Sequence, residues 1–399
     1  MTQMREKGIP RRRVAPSDVV RGLGQGNGEL WLPGVGMRRR ELLQVGAGTA
    51  LALGLSACGI GRGLQGDTDK VIEPKVDGDL FYYNYSQYIN PAVVKEFEEK
   101  YDVRVVESYF DSMEGMLAKL RAGNTYDVIF PTAEYVQRMI QQQQILRVPQ
   151  DKLEYRDNIY AYFDDPWYDP DSAHSVPYSM YITGIGYRTD LIEGMTGSWD
   201  DFKNPDGDGR VTMLDDFQEA LAAGNLVNGF DMNTVVESEL ETTKNWLLDV
   251  KPYLRGYSVD TITTMASGNG WIVHLWNGDI INIRYRVDDP QNYVFQKIKQ
   301  DGFPVGSDAM VIPVNAEHPG TALLFMDHML NPKNAAKNVS WNGYPMPNKG
   351  QDQTFADLAK GDPEIVVTTD DLESGDQFAN LTQTEREQWT NTWLEVKAS

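Results

Sequence analysis

A single cysteine, Cys58, stands in 399 residues, so no disulfide can form within the chain. Histidine is nearly as scarce. The four, at 174, 274, 318 and 328, are scattered and make no H-E-x-x-H pair. A G-x-S-x-G elbow, a phosphate-binding P-loop and a glycine-rich dinucleotide fingerprint are all missing. Catalysis is therefore not expected, and no cofactor is implied. Basic residues are few: 37 Lys/Arg stand against 58 Asp/Glu, for a net charge of −21. The deficit is uneven. Residues 1–57 carry nine basic and four acidic side chains, net +5, and the remainder carries 28 and 54, net −26. An acidic body of this size repels nucleic acid and attracts cations. It also confers solubility, and charge alone does not separate the two uses. Twenty Tyr and nine Trp supply flat faces for stacking a ligand or for packing a core.

Long apolar runs are also lacking. The stretch from Leu42 to Leu55 holds about 14 apolar or small residues, against the roughly 20 needed to span a bilayer. Arg38, Arg39 and Arg40 precede it and Leu55-Ser56-Ala57-Cys58-Gly59 ends it. A basic region, a short apolar region and a small-residue cleavage site make an export signal. Its end resembles a bacterial lipobox, which implies cleavage before Cys58 and lipidation of the Cys58 thiol. Arg39-Arg40-Glu41-Leu42-Leu43 resembles a twin-arginine signal, which implies export in the folded state. The expected organisation is an extension or mis-started segment over 1–36, a lipoprotein signal peptide over 37–57 and a Gly-rich tether over 58–76. The expected location is the outer face of the cytoplasmic membrane or the periplasm, lipid-anchored.

From Asp79 onward apolar runs alternate with amphipathic stretches. Strands are expected at Leu80–Tyr83, Val103–Ser108 and Asp127–Phe130. Helices are expected at Pro91–Lys100 (capped by Asn90), Ser112–Ala122 and Ala133–Gln144. The same grammar restarts with strands at Thr183–Tyr187, Arg210–Leu214 and Ala309–Pro313. Helices open at Trp199 and cover Asp216–Ala223 and His318–Leu330, while Trp271–Trp276 and Ile280–Tyr285 read as β-rich runs. Such alternation implies an α/β fold with a largely parallel sheet, here in two successive lobes.

Nine segments in register, from about residue 79 to the C-terminus, resemble the polyamine-binding proteins of ABC importers, the spermidine/putrescine receptor family. They include Phe81-Tyr82-Tyr83-Asn84-Tyr85-Ser86-Gln87-Tyr88, Tyr126-Asp127-Val128-Ile129-Phe130-Pro131-Thr132 and Leu214-Asp215-Asp216-Phe217-Gln218-Glu219. Trp276-Asn277-Gly278, Ser307-Asp308-Ala309-Met310-Val311-Ile312-Pro313 and Asn342-Gly343-Tyr344-Pro345 follow. The resemblance implies a two-lobed periplasmic-binding-protein-like fold (type II) with the ligand cleft between the lobes. Lobe 1 would comprise 77–180 plus 308–353, and lobe 2 would comprise 181–307 plus 354–399. The chain would cross near Tyr178–Tyr181, near Ser307–Asp308 and after Asn348. The implied partners are a polyamine, ABC permease subunits and, through the lipid, the membrane.

A polyamine carries two to four ammonium groups on a flexible methylene chain. Each buried ammonium needs a carboxylate, and an aromatic face over a cation contributes about 0.5–2 kcal/mol. By resemblance Asp216, Glu219 and Asp308 match ammonium anchors. Tyr85, Tyr88, Trp276 and Tyr344 match aromatic walls, and Ser86, Gln87, Thr132 and Glu134 join the ligand-binding set. Taken locally, Asp216 and Glu219 could equally be a helix cap and its capping-box partner. The chain departs from the family in four places. Tyr85 replaces a frequent Trp, and Gln87 a common acid. Glu134 adds a carboxylate near Thr132. Gly306 lies where a Trp wall is common, which would leave that side open. A second expectation is weaker: Asn204, Asp206, Asp208 and Asp215 approximate a calcium loop, with Pro205 inside it. Asp371 reads as an exposed acid. Other small solutes (a sugar, an amino acid, ferric iron) and an uncoupled sensor or scaffold lipoprotein stay open as alternatives.

Overall fold

The computed structural model describes residues 64–399. Cys58 and the whole export signal lie outside the described residues.

β1 (Leu80–Asn84), α1 (Pro91–Tyr101), β2 (Val105–Tyr109), α2 (Met113–Arg121), β3 (Val128–Ile129) and α3 (Ala133–Gln141) form the first βαβ series. Local chemistry starts these helices. The Asn90 side chain accepts from the Ala92 N–H at 2.9 Å just ahead of Pro91, and Ser112 accepts from the Gly115 N–H at 3.1 Å. β1 pairs in parallel with β2 and β3, as right-handed crossover helices require.

After α3 the chain runs through short helical turns into β4 (Ser175–Arg188), a 14-residue strand. Only its last third reads as a strand in the sequence. β5 (Val211–Met213), α4 (Phe217–Val227), α5 (Glu237–Val250), β6 (Leu254–Tyr257), α6 (Thr261–Ala266) and β7 (Ile272–Trp276) follow. Then come α7 (Asn277–Arg284), β8 (Tyr293–Gln296), β9 (Val305–Val311), α8 (Pro319–Leu330) and α9 (Pro332–Asn342). α10 (Asp352–Ala359), α11 (Thr369–Ser374) and α12 (Gln383–Ala398) end the chain.

Nine strands form one sheet in the order β2-β1-β3-β9-β4-β7-β5-β6, with β8 also on β4. β4 joins its two halves. Its Ser175–Ile182 stretch pairs antiparallel with β9, while Thr183–Arg188 pairs with β7 and β8. A register shift between Pro177 and Ser179 bends β4 within the first stretch.

Two apolar clusters fill the interior. The larger covers the first half of the sheet and continues across it to Met265, Val273, Leu275 and Ile280. The smaller packs Trp199, Phe202 and Met213 against α4, α5 and the Trp389 and Trp393 face of α12.

Two expectations are corrected here. Ile280–Tyr285 is not a strand but the body of α7, which buries Ile280, Ile281 and Ile283. Ile281-Asn282-Ile283-Arg284-Tyr285 alternates apolar or aromatic with polar residues, a pattern that a short helix can mimic by chance. Asp371 is not an exposed acid: its carboxylate caps α11 through Thr368 and meets Lys297 Nζ at 3.1 Å.

Candidate functional site

β9 brings Asp308 to the middle of the sheet, opposite Ser179 of β4 and bridged to Thr132. Asp308 is buried. Its Oδ2 accepts from the Tyr88 hydroxyl at 2.5 Å and from Ser179 Oγ at 3.0 Å. Oδ1 is buried and has no partner. Tyr88 is fixed in turn, because its backbone carbonyl accepts from Tyr178 Oη at 2.6 Å and Asn342 Nδ2 at 3.0 Å. Around it stand the rings of Tyr85, Tyr178 and Tyr344, all edge-on at 5.2–5.8 Å between centroids. Edge-on packing sets the edge of one ring against the face of its neighbour and fixes the aromatic wall.

Glu134 enters from the first turn of α3. Thr132 Oγ1 donates to it at 2.7 Å instead of capping the helix. Asp216 and Glu219 enter from the start of α4. One oxygen of Asp216 does cap the helix, accepting from Gln218 and Glu219 N–H groups at 2.8 and 3.1 Å. Glu219 does not reach back as a capping-box partner. Its Oε1 accepts from Trp276 Nε1 at 2.9 Å and Thr183 Oγ1 at 3.1 Å, and its buried Oε2 has no partner.

Two residues missed in the sequence belong to this wall. Asp279, in the first turn of α7, is buried and accepts from Tyr344 Oη and Thr261 Oγ1, both at 2.5 Å. Tyr181 of β4 is buried where the charges of Glu134, Asp308 and Glu219 all reach its hydroxyl. The expectation that Gly306 leaves one side open is wrong, because the Tyr181 ring fills it. A Cβ at residue 306 would lie 2.5 Å from Tyr181 Oη. Tyr181 stands directly opposite Gly306 in the β4–β9 register, which no local sequence signal gives.

Burial pushes Glu134 and Glu219 up to about 8, and Asp216, Asp279 and Asp308 up to about 6. For Glu219 the Asp216 charge adds to burial. Among the described residues none of the five makes an ion pair with Lys, Arg or His. Buried acids without a counter-charge are costly, and a cation placed among them would remove that cost.

Ser86 and Gln87 do not join them. Both are exposed, and Gln87, at φ 59°, accepts from Arg286 Nη2 at 3.4 Å. The calcium-loop residues are not gathered either. Asn204 caps the turn that follows it, Asp206 accepts from the Glu193 N–H and Asp215 meets Lys397 Nζ at 2.6 Å. Among the described residues no three His, Cys, Asp or Glu side chains are placed to hold a metal ion. No described helix is long and apolar enough to cross a membrane.

The sequence profile of the bacterial extracellular solute-binding proteins matches residues 92–367. Over 341 residues the chain is 26% identical to the spermidine/putrescine-binding periplasmic protein of Escherichia coli K12, covering 84% of this chain and 92% of that one. It is 26% identical over 336 residues to the putrescine-binding periplasmic protein SpuD of Pseudomonas aeruginosa UCBPP-PA14, covering 80% and 92%. Among solved structures, the TpPotD lipoprotein of Treponema pallidum superposes with a TM-score of 0.70 at 26% identity, covering 79% and 98%. The spermidine/putrescine ABC transporter substrate-binding protein PotD of Streptococcus pneumoniae gives 0.67 at 23%, covering 81% and 99%, a likeness of fold.

Proposed function

The chain belongs to the bacterial extracellular solute-binding protein family, exported ABC-transporter receptors that catalyse no reaction, and from that premise we propose that its solute is a polyamine. One observation carries the reading. Four buried carboxylates (Glu134, Glu219, Asp279 and Asp308) and the part-buried Asp216 stand among aromatic rings with no Lys, Arg or His ion pair among the described residues, and two of their oxygens, Asp308 Oδ1 and Glu219 Oε2, are buried without a donor. A sugar would need hydrogen-bond donors as well as acceptors at such a wall, and an amino acid or other anion would need a cation. A chain of ammonium groups needs acceptors alone. The names of the relatives from Escherichia coli and Pseudomonas aeruginosa point the same way.

In this reading Asp308, Glu134, Asp216 and Glu219 accept from ammonium groups, and Tyr85, Tyr88, Trp276 and Tyr344 cover the methylenes between them. Asp279 holds the Tyr344 ring. The lobes divide at 77–180 plus 308–353 and 181–307 plus 354–399, a division supported by the exchange of partners along β4 at Ile182–Thr183. Closure about β4 and β9 seals the cleft, and the closed form docks on an ABC permease. Cys58 carries the lipid that keeps the receptor at the membrane.

Calorimetry of the mature chain against putrescine, cadaverine, spermidine and spermine tests the solute. Saturable heat with at least one of them is expected, and none with all four would sink the reading. Small-angle scattering tests closure, since the radius of gyration should shrink on saturation. Fractionation of Cys58→Ser tests the anchor: the variant should leave the membrane fraction, and its retention there would refute lipidation.

A further inference from the structure

Beside the acidic cleft lies a feature of opposite sign. Arg138 projects from α3, whose Val136 and Met139 belong to the larger apolar cluster. Arg386 projects from α12, whose Trp389 and Trp393 belong to the smaller one. The two guanidinium groups come from opposite halves of the fold and line one cavity of about 10 Å3 together with Glu134, Tyr135, Gln218, Ala379, Asn380 and Leu381. Beside it Asn380 Nδ2 donates to Gln141 Oε1 at 3.0 Å.

Neither arginine has an acidic partner within ion-pair distance among the described residues, although the chain after residue 57 carries a net charge of −26. Arg386 Nη1 donates to the Leu381 carbonyl at 2.7 Å. Arg138 lies 5.5 Å from the Tyr135 ring centroid, and its Nε is buried without an acceptor. Burial, and after it the Arg386 charge, depress the affinity of Arg138 for its proton. The Arg386 charge thus acts on Arg138 across the line where the halves meet, and Arg138 Nε is left without an acceptor. Glu134 lines the same cavity, and its Oε1 accepts from Thr132 Oγ1 at 2.7 Å. Glu114, which also acts on Arg138, is engaged by the Tyr135 hydroxyl.

We propose that Arg138 and Arg386 together bind one small inorganic anion of chloride size, which bridges the two halves when the cleft is closed. A cavity of this volume is at the lower limit for one water-sized particle, so a monatomic anion enters only as the part-exposed arginine side chains give way slightly, and phosphate, sulfate and carboxylate ligands do not fit. Arginine forks supply donors without acceptors, so an anion satisfies both, whereas a water leaves the repulsion in place. The anion binds only where both arginines are present, so it favours closure and raises the affinity of whatever the cleft captures. The inference rests on the two arginines lining one cavity and not on the identity of the captured cation.

The test compares sodium chloride with sodium gluconate, whose anion is too large for the cavity, at equal ionic strength. Melting of the unliganded mature chain is followed alongside putrescine and spermidine affinity. The wild type should bind its polyamine several-fold more tightly in chloride, and the unliganded chain should melt higher there only by the share of it that is closed. The gain is about six-fold for a site with a dissociation constant one fifth of the chloride concentration. Arg386→Met and Arg138→Met should each abolish the difference between the two salts. Equal behaviour of the wild type in both salts, as expected for a bound water, would overturn the proposal. So would a chloride effect that survives both substitutions. Bromide soaked into crystals of the wild-type closed form gives a readout free of any variant: an anomalous peak between the two guanidinium groups supports the site, and its absence refutes it. Should no polyamine bind, the proposed solute fails while the melting and bromide measurements still decide the anion site.

Discussion

Asp169 and Asp308 are 0% and 4% exposed, and the fold treats them in opposite ways. Both oxygens of Asp169 are occupied, by the N–H groups of His174 and Ser175, the Ser175 hydroxyl at 2.7 Å and the His174 ring. Asp201 is satisfied likewise, by Thr196 and Gly197 N–H groups at 2.9–3.0 Å and the Thr196 hydroxyl. Asp127 accepts from the N–H groups of Phe81 and His318. These acids stitch loops to neighbouring elements and are complete within the chain. Those of the cleft are held by hydroxyl, indole and a few backbone donors, and two keep a buried oxygen free. A buried carboxylate closed off by backbone N–H groups is architecture. One presented by side-chain donors with a lone pair left over awaits a donor from outside.

The largest expected effect breaks the cleft side of that comparison. Asp308→Asn keeps the shape and removes the charge, and should weaken polyamine binding by about 2–5 kcal/mol, roughly 30-fold or more, measured by calorimetry. The midpoint of thermal unfolding without ligand should hold or rise, since an unpaired buried charge is lost. A loss of less than three-fold in affinity would remove Asp308 from the site.

Asp169→Ala should do the reverse. Unfolding free energy should drop by about 1.5–3 kcal/mol, the worth of hydrogen bonds to a charged group, while polyamine affinity stays within two-fold. Chemical denaturation with and without ligand separates the two, and a large affinity loss here would blur the distinction.

The pH response sharpens it further. Burial holds Glu134 and Glu219 up to about 8, against 4.5 for the free side chain. Between those values the folded cleft retains protons that the unfolded chain has released, so ligand-free stability falls as pH rises through that window. An ammonium lowers these values and expels the protons. Polyamine affinity should therefore rise from pH 6 to pH 8, by up to about 1.4 kcal/mol per pH unit for each proton released. Calorimetry in buffers of different ionisation enthalpy counts them, and zero protons would contradict the burial of an uncompensated pair.

The smallest effect belongs to the surface. Asp151→Asn, at an exposed acid, should change affinity by no more than a few tenths of a kcal/mol, and only at low salt. Losses equal to those of Asp308→Asn would mean that the acidic body acts as a diffuse field and that the cleft anchors nothing.

The order of apolar runs and caps made the βαβ series legible from Leu80 to Gln141, because Asn90, Pro91 and Ser112 act on their immediate neighbours. The same local chemistry hid α7, where Ile281, Ile283 and Tyr285 alternate with Asn282 and Arg284 as a strand would. In the site, Asp308, Asp216, Glu219 and Glu134 could be named because each sits in a short recognisable segment. That Asp216 is a cap as well as a cleft residue, or that Gln87 turns outward, could not be read. Such outcomes depend on which donors another part of the chain brings near. By itself, then, the sequence determined the class of fold, the excess of acid and the acidic and aromatic character of the candidate site, all properties of composition and near neighbours. Only the tertiary structure decided that Tyr181 fills the space over Gly306, that Asp279 accepts from Tyr344, and that Arg138 and Arg386 line one cavity. These contacts join positions 65 to 248 residues apart, and the register of β4 against β9 and the packing of α3 beside α12 exist only once the whole core has formed.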